Sequence, residues 1–170
     1  MNVPAPQIVI LHRYFIAANK MRIRFEKTLA NPKVANRFPD ADPFTRLLMM
    51  HVDDYGVFMF YWYSGMYVVI EGFRELNLKD SKIETLLRSS NVKSLRLVRN
   101  ATFHFQKDGF ISKKVIPFLK SEDSVPWVHS LTQAFSEFFL REAAKRRRDE
   151  QVSVTVRSQA AQRSSSGVHQ

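Results

Sequence analysis

The sequence predicts an all-α fold, a bundle of about five helices followed by a basic tail without ordered structure. Apolar residues recur at three- and four-residue spacing along most of the chain, and no stretch shows the apolar–polar alternation of a half-buried strand. Glycine is scarce inside these segments, and prolines gather between them. With 170 residues, 45% of them apolar, the chain suits one domain with a single core. We therefore place the helical domain at 1–140 and the tail at 141–170.

The first helix is predicted over 7–29, and it ends at Asn31 because a residue before proline, here Pro32, avoids helical geometry. Three prolines predict a loop over 31–43, and Pro43 opens a further helical segment. The apolar period predicts which residues of the first helix face inward: Val9, Tyr14, Ala18, Met21, Phe25 and Leu29.

The most apolar stretch, residues 55–70, contains no charged residue and predicts the central helix of the bundle. It is shorter than the ~20 residues that a membrane span needs, and the carboxylates of Asp54 and Glu71 bound it. We therefore expect a buried helix and no membrane partner. Three small residues within it suit close contact with another helix: Gly56, Ser64 and Gly65.

Two shorter helices follow. Ser81 and Glu84 have the spacing of a capping box, which predicts a helix that starts near Ser81. Residues 89–91 break it, and a further helix is predicted over 92–106. Residues 107–109 then predict a turn.

The last part of the domain is predicted to be one short segment and one long helix. Residues 110–120 form a helix or an extended piece, interrupted at Pro117. Ser124 caps the last helix, and Pro126 lies in its first turn. The apolar stripe of this helix is Val128, Leu131, Phe135, Phe138 and Phe139.

Composition restricts the function. Lysine and arginine outnumber aspartate and glutamate by 26 to 16, a net charge of +10, of which +6 lies on the helical domain. A basic surface favours RNA, DNA or anionic lipid, although it also serves solubility. The chain has no cysteine, which excludes a disulfide scaffold and a cysteine nucleophile. No positively charged segment precedes the first apolar run, so we expect no signal peptide and a cytoplasmic location.

The stretch LVRNATFHFQ, residues 97–106, carries three polar side chains that suit phosphodiester chemistry: Arg99, Asn100 and His104. On a helix, Asn100 and His104 share a face, and the long Arg99 side chain can reach it from about 140° around the axis. Lys93 and Arg96 precede Arg99 at three-residue spacing and predict a basic stripe that binds substrate. Cations hold a phosphate, and an imidazole moves protons near neutral pH. No histidines have the spacing of metal ligands on a helix.

The residues Arg99, Asn100 and His104 resemble the motif of the HEPN superfamily. In that family an arginine and a histidine are separated by four to six residues, and a polar residue, commonly asparagine, follows the arginine. The aromatic helix over 55–70 and the short helix after it also resemble the helices before the family's motif. The resemblance covers roughly residues 7–140.

The resemblance implies an all-α HEPN-like domain that acts as a metal-independent endoribonuclease, as a toxin or phage-defence component, with no cofactor. His104 would act as acid or base toward the ribose 2′-hydroxyl or the leaving oxygen, and Arg99 would stabilise charge on the phosphate. Asn100 would orient His104 or the scissile phosphate. RNA is the implied substrate and a homodimer with a composite site the implied assembly, with an antitoxin or another partner protein as a further partner.

Spacing alone does not identify the motif. Arg46 and His51 have the same spacing, and a third pair, Arg163 and His169, falls in the tail. The asparagine, the helical setting and the basic stripe distinguish residues 97–106. The alternative is a surface pair of Arg and His with an ordinary polar neighbour.

Glu71 is a supporting candidate, because a carboxylate at the end of an uncharged helix needs a partner. Pairing with Arg99 would aim the guanidinium, whereas pairing with Arg74, three residues on, would serve only the helix end.

Two other functions stay open. One is a non-catalytic HEPN-like module that binds nucleic acid or a partner protein. The other is a helical scaffold protein whose basic surface serves solubility.

Overall fold

The computed structural model describes residues 5–31, 40, 54–107 and 115–165, with side chains for 7–31, 40, 56–107 and 115–152. These ranges contain six helices and no strand, which confirms the predicted all-α fold. The described residues fall into two compact units, the first up to Ala134 and the second from Phe135. The helices are α1 (Ala5–Leu29), α2 (Asp54–Glu75), α3 (Ser81–Leu86), α4 (Asn91–Phe103), α5 (Ile116–Lys120) and α6 (Ser124–Ser165).

Helices α1 and α2 pack closely in an antiparallel pair, because α2 presents glycines where α1 approaches. A Cβ atom added at Gly65 would lie 2.8 Å from the Cβ of Ala18. One added at Gly72 would lie 2.5 Å from Cδ1 of Leu11. The expected close contact at Gly65 is confirmed, and Gly72 is a second one.

Helix α2 forms the centre of the first unit. Within the described residues, no helix is both long and apolar enough to cross a membrane. Trp62 is fully buried, and its Nε1 donates a hydrogen bond to Oγ1 of Thr132 on α6 at 3.2 Å. Burial also raises the pKa of Tyr63. The other buried side chains of α2 are mostly apolar: Met59, Phe60, Ser64, Met66, Tyr67, Val69, Ile70 and Phe73.

The predicted inward face of α1 is partly wrong. Ala18 is buried as expected, but Val9, Tyr14 and Leu29 are exposed. Three consecutive apolar residues, 8–10, place side chains on several sides of the helix, so the apolar period does not single out one face. The buried residues of α1 are Ile8, Leu11, Phe15 and Ala18.

Helix α3 begins at Ser81 as predicted, but Asp80 is its cap. The Asp80 Oδ1 atom accepts a hydrogen bond from the backbone N–H of Ile83 at 3.0 Å. Asp80 therefore holds the N-cap position and Ser81 is the first helical residue, so the predicted capping box of Ser81 with Glu84 does not form.

Helix α6 begins at Ser124 as predicted, but the Ser124 hydroxyl does not cap it by accepting a hydrogen bond from the first turn. The Ser124 hydroxyl donates to the Ser121 carbonyl at 2.9 Å, while the Trp127 N–H binds the carbonyl of Asp123. Pro117 lies in the first turn of α5 and does not interrupt it, because that position needs no backbone N–H.

The sequence places the end of the last helix near Leu140, with an unstructured tail from residue 141, whereas α6 continues to Ser165. Residues 141–151 are mostly Ala, Glu, Lys, Arg and Gln, which favour helix, and no Gly or Pro follows Pro126 until Gly167. The predicted segments at 32–39, 41–53 and 108–114, which include Arg46 and His51, lie outside the described residues.

Candidate functional site

Helix α4 ends earlier than the sequence predicts, and this moves His104. The helix stops at Phe103, and His104 has extended backbone angles, φ −124° and ψ 137°. The Gln106 side chain caps the end, because its Nε2 donates to the carbonyls of Asn100 (3.3 Å) and His104 (3.0 Å). The expectation that His104 lies on one helix face with Asn100 is therefore wrong.

Arg99 is held in place by two oxygen atoms. Its Nη2 atom lies 3.3 Å from Oε2 of Glu71 on α2, and its Nη1 donates to Oδ1 of Asn100 at 3.0 Å. The Arg99 side chain is 30% exposed and that of Glu71 44% exposed. The guanidinium is thus oriented but still reachable from solvent, and Glu71 pairs with Arg99, not with Arg74.

The two helices that carry this pair are joined by a hydrogen bond further along. The Ser64 hydroxyl of α2 donates to Oγ1 of Thr102 on α4 at 2.8 Å, and Thr102 donates to the Val98 carbonyl at 2.9 Å. Ser64 contacts Thr102, whereas Glu71, further along α2, contacts Arg99, which comes earlier in α4. The two helices therefore run antiparallel. This second contact fixes the register that brings Arg99 to Glu71.

The His104 imidazole is exposed, and within the described residues no side chain or backbone group bonds to it. Asn100 directs its side-chain oxygen at Arg99 and does not orient His104. Lys93 and Arg96 are exposed on α4, as the predicted basic stripe requires. We call Glu71, Arg99, Asn100 and His104 the Arg99 cluster.

A groove of about 350 Å³ borders the Arg99 cluster at Glu71. It lies between α1 and α2, and two carboxylates, Glu71 and Glu75, line it together with mostly apolar side chains. A surface with this charge does not suit a phosphate, so we place no substrate there. The other lining residues are Gln7, Ile10, Leu11, Tyr14, Val68, Gly72 and Leu76.

A second group of polar side chains, not predicted from the sequence, consists of Asn19, Arg22, Glu26 and His129, and we call it the Arg22 cluster. Arg22 donates from Nε to Asn19 at 2.8 Å and from Nη1 to both carboxylate oxygens of Glu26 at 2.7 Å. The Nδ1 atom of His129 lies 3.6 Å from Glu26 Oε1. The spacing of residues 19, 22 and 26 on α1 was a usable signal, but only folding brings His129 to them.

Within the described residues, no three His, Asp or Glu side chains are grouped so that they could hold a metal ion. Comparison with protein-family models, curated proteins and solved structures finds no match to this chain.

Proposed function

We propose that the protein is a metal-independent endoribonuclease of the HEPN type, acting as a cytoplasmic homodimer in a toxin or phage-defence system. One observation carries the proposal: Glu71 and Asn100 hold Arg99 at the end of α4, close in the chain to an exposed His104. Phosphodiester cleavage uses a charged donor for the phosphate and an imidazole for proton transfer, and Arg99 and His104 supply these two groups.

In the proposed reaction, the ribose 2′-oxygen attacks the adjacent phosphorus while its proton passes to a base. The bond from phosphorus to the 5′-oxygen breaks, and that oxygen takes a proton from an acid. His104 serves one of these proton transfers, and Arg99 stabilises the charge that develops on the phosphate oxygens. Asn100 acts through Arg99, because its oxygen accepts from the guanidinium.

The two proton transfers of this reaction support the proposed homodimer. A single imidazole cannot accept one proton and donate another in the same step, and no second histidine bonds to His104 within the described residues. A second copy of the chain would supply the other imidazole, as in the composite sites that the HEPN resemblance implies. An antitoxin or other partner protein would act by covering this surface.

Cleavage of a single-stranded RNA in excess chelator tests the proposal. The wild type is compared with Arg99→Ala and His104→Ala, and Arg13→Ala, which removes an exposed arginine of α1, is the control for lost charge. We expect cleavage by the wild type and by Arg13→Ala, and a loss of at least about 100-fold in the other two variants.

The competing function is a non-catalytic module that binds RNA, and it is favoured because no side-chain contact joins the His104 imidazole to Arg99 or Asn100 within the described residues. RNA binding by the wild type without cleavage in the same assay would support the module and refute the nuclease. If the protein neither binds nor cleaves RNA, the remaining function is that of a helical scaffold.

A further inference from the structure

Exposed aromatic side chains lie next to His104 in the chain, and one of them contacts another exposed aromatic side chain on the surface. Phe103 and Phe105 flank it in the chain, and they are 49% and 92% exposed. Phe103 meets Tyr61 of α2 edge to face, with ring centroids 5.7 Å apart, and Tyr61 is itself 46% exposed. Val57, one turn before Tyr61, is also exposed. A cluster of exposed apolar side chains, unlike a single one, marks a binding surface.

The basic residues of α4 lie on the same side of that helix as Phe103. Arg96 and Phe103 are seven residues apart, so they lie about 20° apart around the axis and about 10 Å along it. Lys93 lies about 80° from Phe103 by the same rule, and it is also exposed. Helix α4 contains no acidic residue, and exposed Lys107 follows it. Cationic side chains therefore precede and follow Phe103 and Phe105 in the chain.

We propose that Tyr61, Phe103 and Phe105 form a stacking surface for the bases of a single-stranded RNA, whose phosphates bind Lys93, Arg96 and Lys107. The choice of RNA rests on the proposed function. Proteins bind single strands by combining aromatic faces, on which bases stack, with cations along the backbone. In a duplex the bases are already stacked on each other, so these side chains select single strands, and they hold the nucleotides beside the phosphate that His104 reaches.

Binding is measured by fluorescence anisotropy with a labelled RNA of mixed sequence whose 2′-hydroxyls are methylated, so that it cannot be cleaved. We expect Phe105→Ala to weaken binding of the single strand about tenfold. Phe105→Trp keeps an aromatic face and retains affinity, whereas Phe105→Leu keeps only apolar area and loses it. Tyr14→Ala, which removes an exposed aromatic side chain of α1, is the matched control and binds like the wild type. The duplex of the same sequence binds more weakly than the single strand.

The tryptophan variant gives a second, direct measurement. The two native tryptophans, Trp62 and Trp127, are buried, so a tryptophan in place of Phe105 dominates the solvent-exposed emission. Stacking of a base on it quenches that emission when RNA is added. Lys93→Ala with Arg96→Ala lowers the slope of log affinity against log salt by about 1.4, the value for two lost phosphate contacts on a single strand.

Two results would overturn the inference. One is unchanged RNA binding in both Phe105→Ala and Phe105→Leu. The other is a weaker dimer in Phe105→Ala, measured by sedimentation, which would make the aromatic surface a contact between two copies of the chain. Because the RNA cannot be cleaved, a protein that binds in this way but shows no nuclease activity would refute the proposed reaction and leave the stacking surface intact.

Discussion

The Arg99 cluster and the Arg22 cluster contain the same four residue types, an arginine, a glutamate, an asparagine and a histidine. In the Arg22 cluster all four are connected, because Arg22 bonds to both Asn19 and Glu26, and Glu26 lies 3.6 Å from His129. In the Arg99 cluster the glutamate and the asparagine both bind the arginine, and His104 stays apart. The same four residue types thus form contacts that include the histidine in the Arg22 cluster, and contacts that leave out His104 in the Arg99 cluster.

The setting of the two histidines explains the difference. His129 lies on α6 and packs edge to face against buried Trp62, with ring centroids 4.9 Å apart, so two neighbours fix its position. His104 follows the end of α4, in extended backbone and in solvent. A histidine with its contacts satisfied contributes to stability, whereas an exposed and unpaired one can meet a substrate.

The largest predicted effect separates the two histidines. His104→Ala lowers RNA cleavage by at least about 100-fold and leaves the free energy of unfolding nearly unchanged, because its side chain is exposed. His129→Ala costs about 1 kcal/mol of stability through the lost contact with Trp62, while cleavage stays within about threefold. Cleavage kinetics and urea denaturation of both variants measure this. Loss of cleavage in His129→Ala at full stability would transfer the site to the Arg22 cluster.

The next prediction concerns the α1–α2 interface, which supports both clusters, since α1 carries Arg22 and α2 carries Glu71. Gly65→Ala costs about 2 kcal/mol, because the new Cβ would lie 2.8 Å from the Cβ of Ala18, which cannot turn away. Gly72→Ala costs less, since the atom it meets is the flexible end of Leu11. Urea denaturation of the two variants gives the order, and equal costs would contradict this account of the packing.

A smaller effect tests the two glutamates. Glu71→Gln lowers kcat about tenfold with little change in KM, because Arg99 loses the group that positions it, and Glu71→Asp partly restores kcat. Glu26→Gln leaves kcat unchanged and costs about 0.2–1 kcal/mol of stability, the range for a solvent-exposed ion pair. A Glu71→Gln variant with full kcat would show that Asn100 alone suffices to orient Arg99.

The sequence was informative where the signal is local and periodic. It predicted the all-α fold and the starts of α3 and α6, and it singled out Glu71 as a candidate partner of Arg99. It did not predict the end of α4, because Gln106 closes the helix by folding back onto the Asn100 carbonyl, a contact without a periodic signal. The resulting position of His104 was missed for the same reason.

Other features depend on contacts between distant parts of the chain. The burial of α1 could not be predicted because residues 8–10 are apolar on several sides, and only the approach of α2 selects which of them faces the core. His129 joins the Arg22 cluster across more than 100 residues of chain. No spacing rule on one helix reaches that far.

The smallest predicted effect tests a hydrogen-bonded link between the helices that carry the Arg99 cluster and the Arg22 cluster. Asp123, in the turn before α6, accepts hydrogen bonds from the Ser121 hydroxyl and from Nδ2 of Asn91 at the start of α4. It therefore ties the helix that carries Arg99 to the helix that carries His129. The Ser121 hydrogen bond is the main cause that lowers the pKa of Asp123 below its usual value of 3.8, with Asn91 adding to it.

A lowered pKa in the folded protein means that the Asp123 carboxylate stabilises the fold above its ordinary pKa, and that this contribution is lost as the pH falls through the lowered value. Asp123→Asn is therefore slightly less stable than the wild type at about pH 7, and the difference shrinks as the pH falls below 3.8. Urea denaturation across this range measures it, with Glu122→Gln as the control, since Glu122 is an exposed neighbouring acid. A difference that stays constant with pH would mean that Asp123 acts through its shape and not its charge, and the link between the two clusters would then be steric.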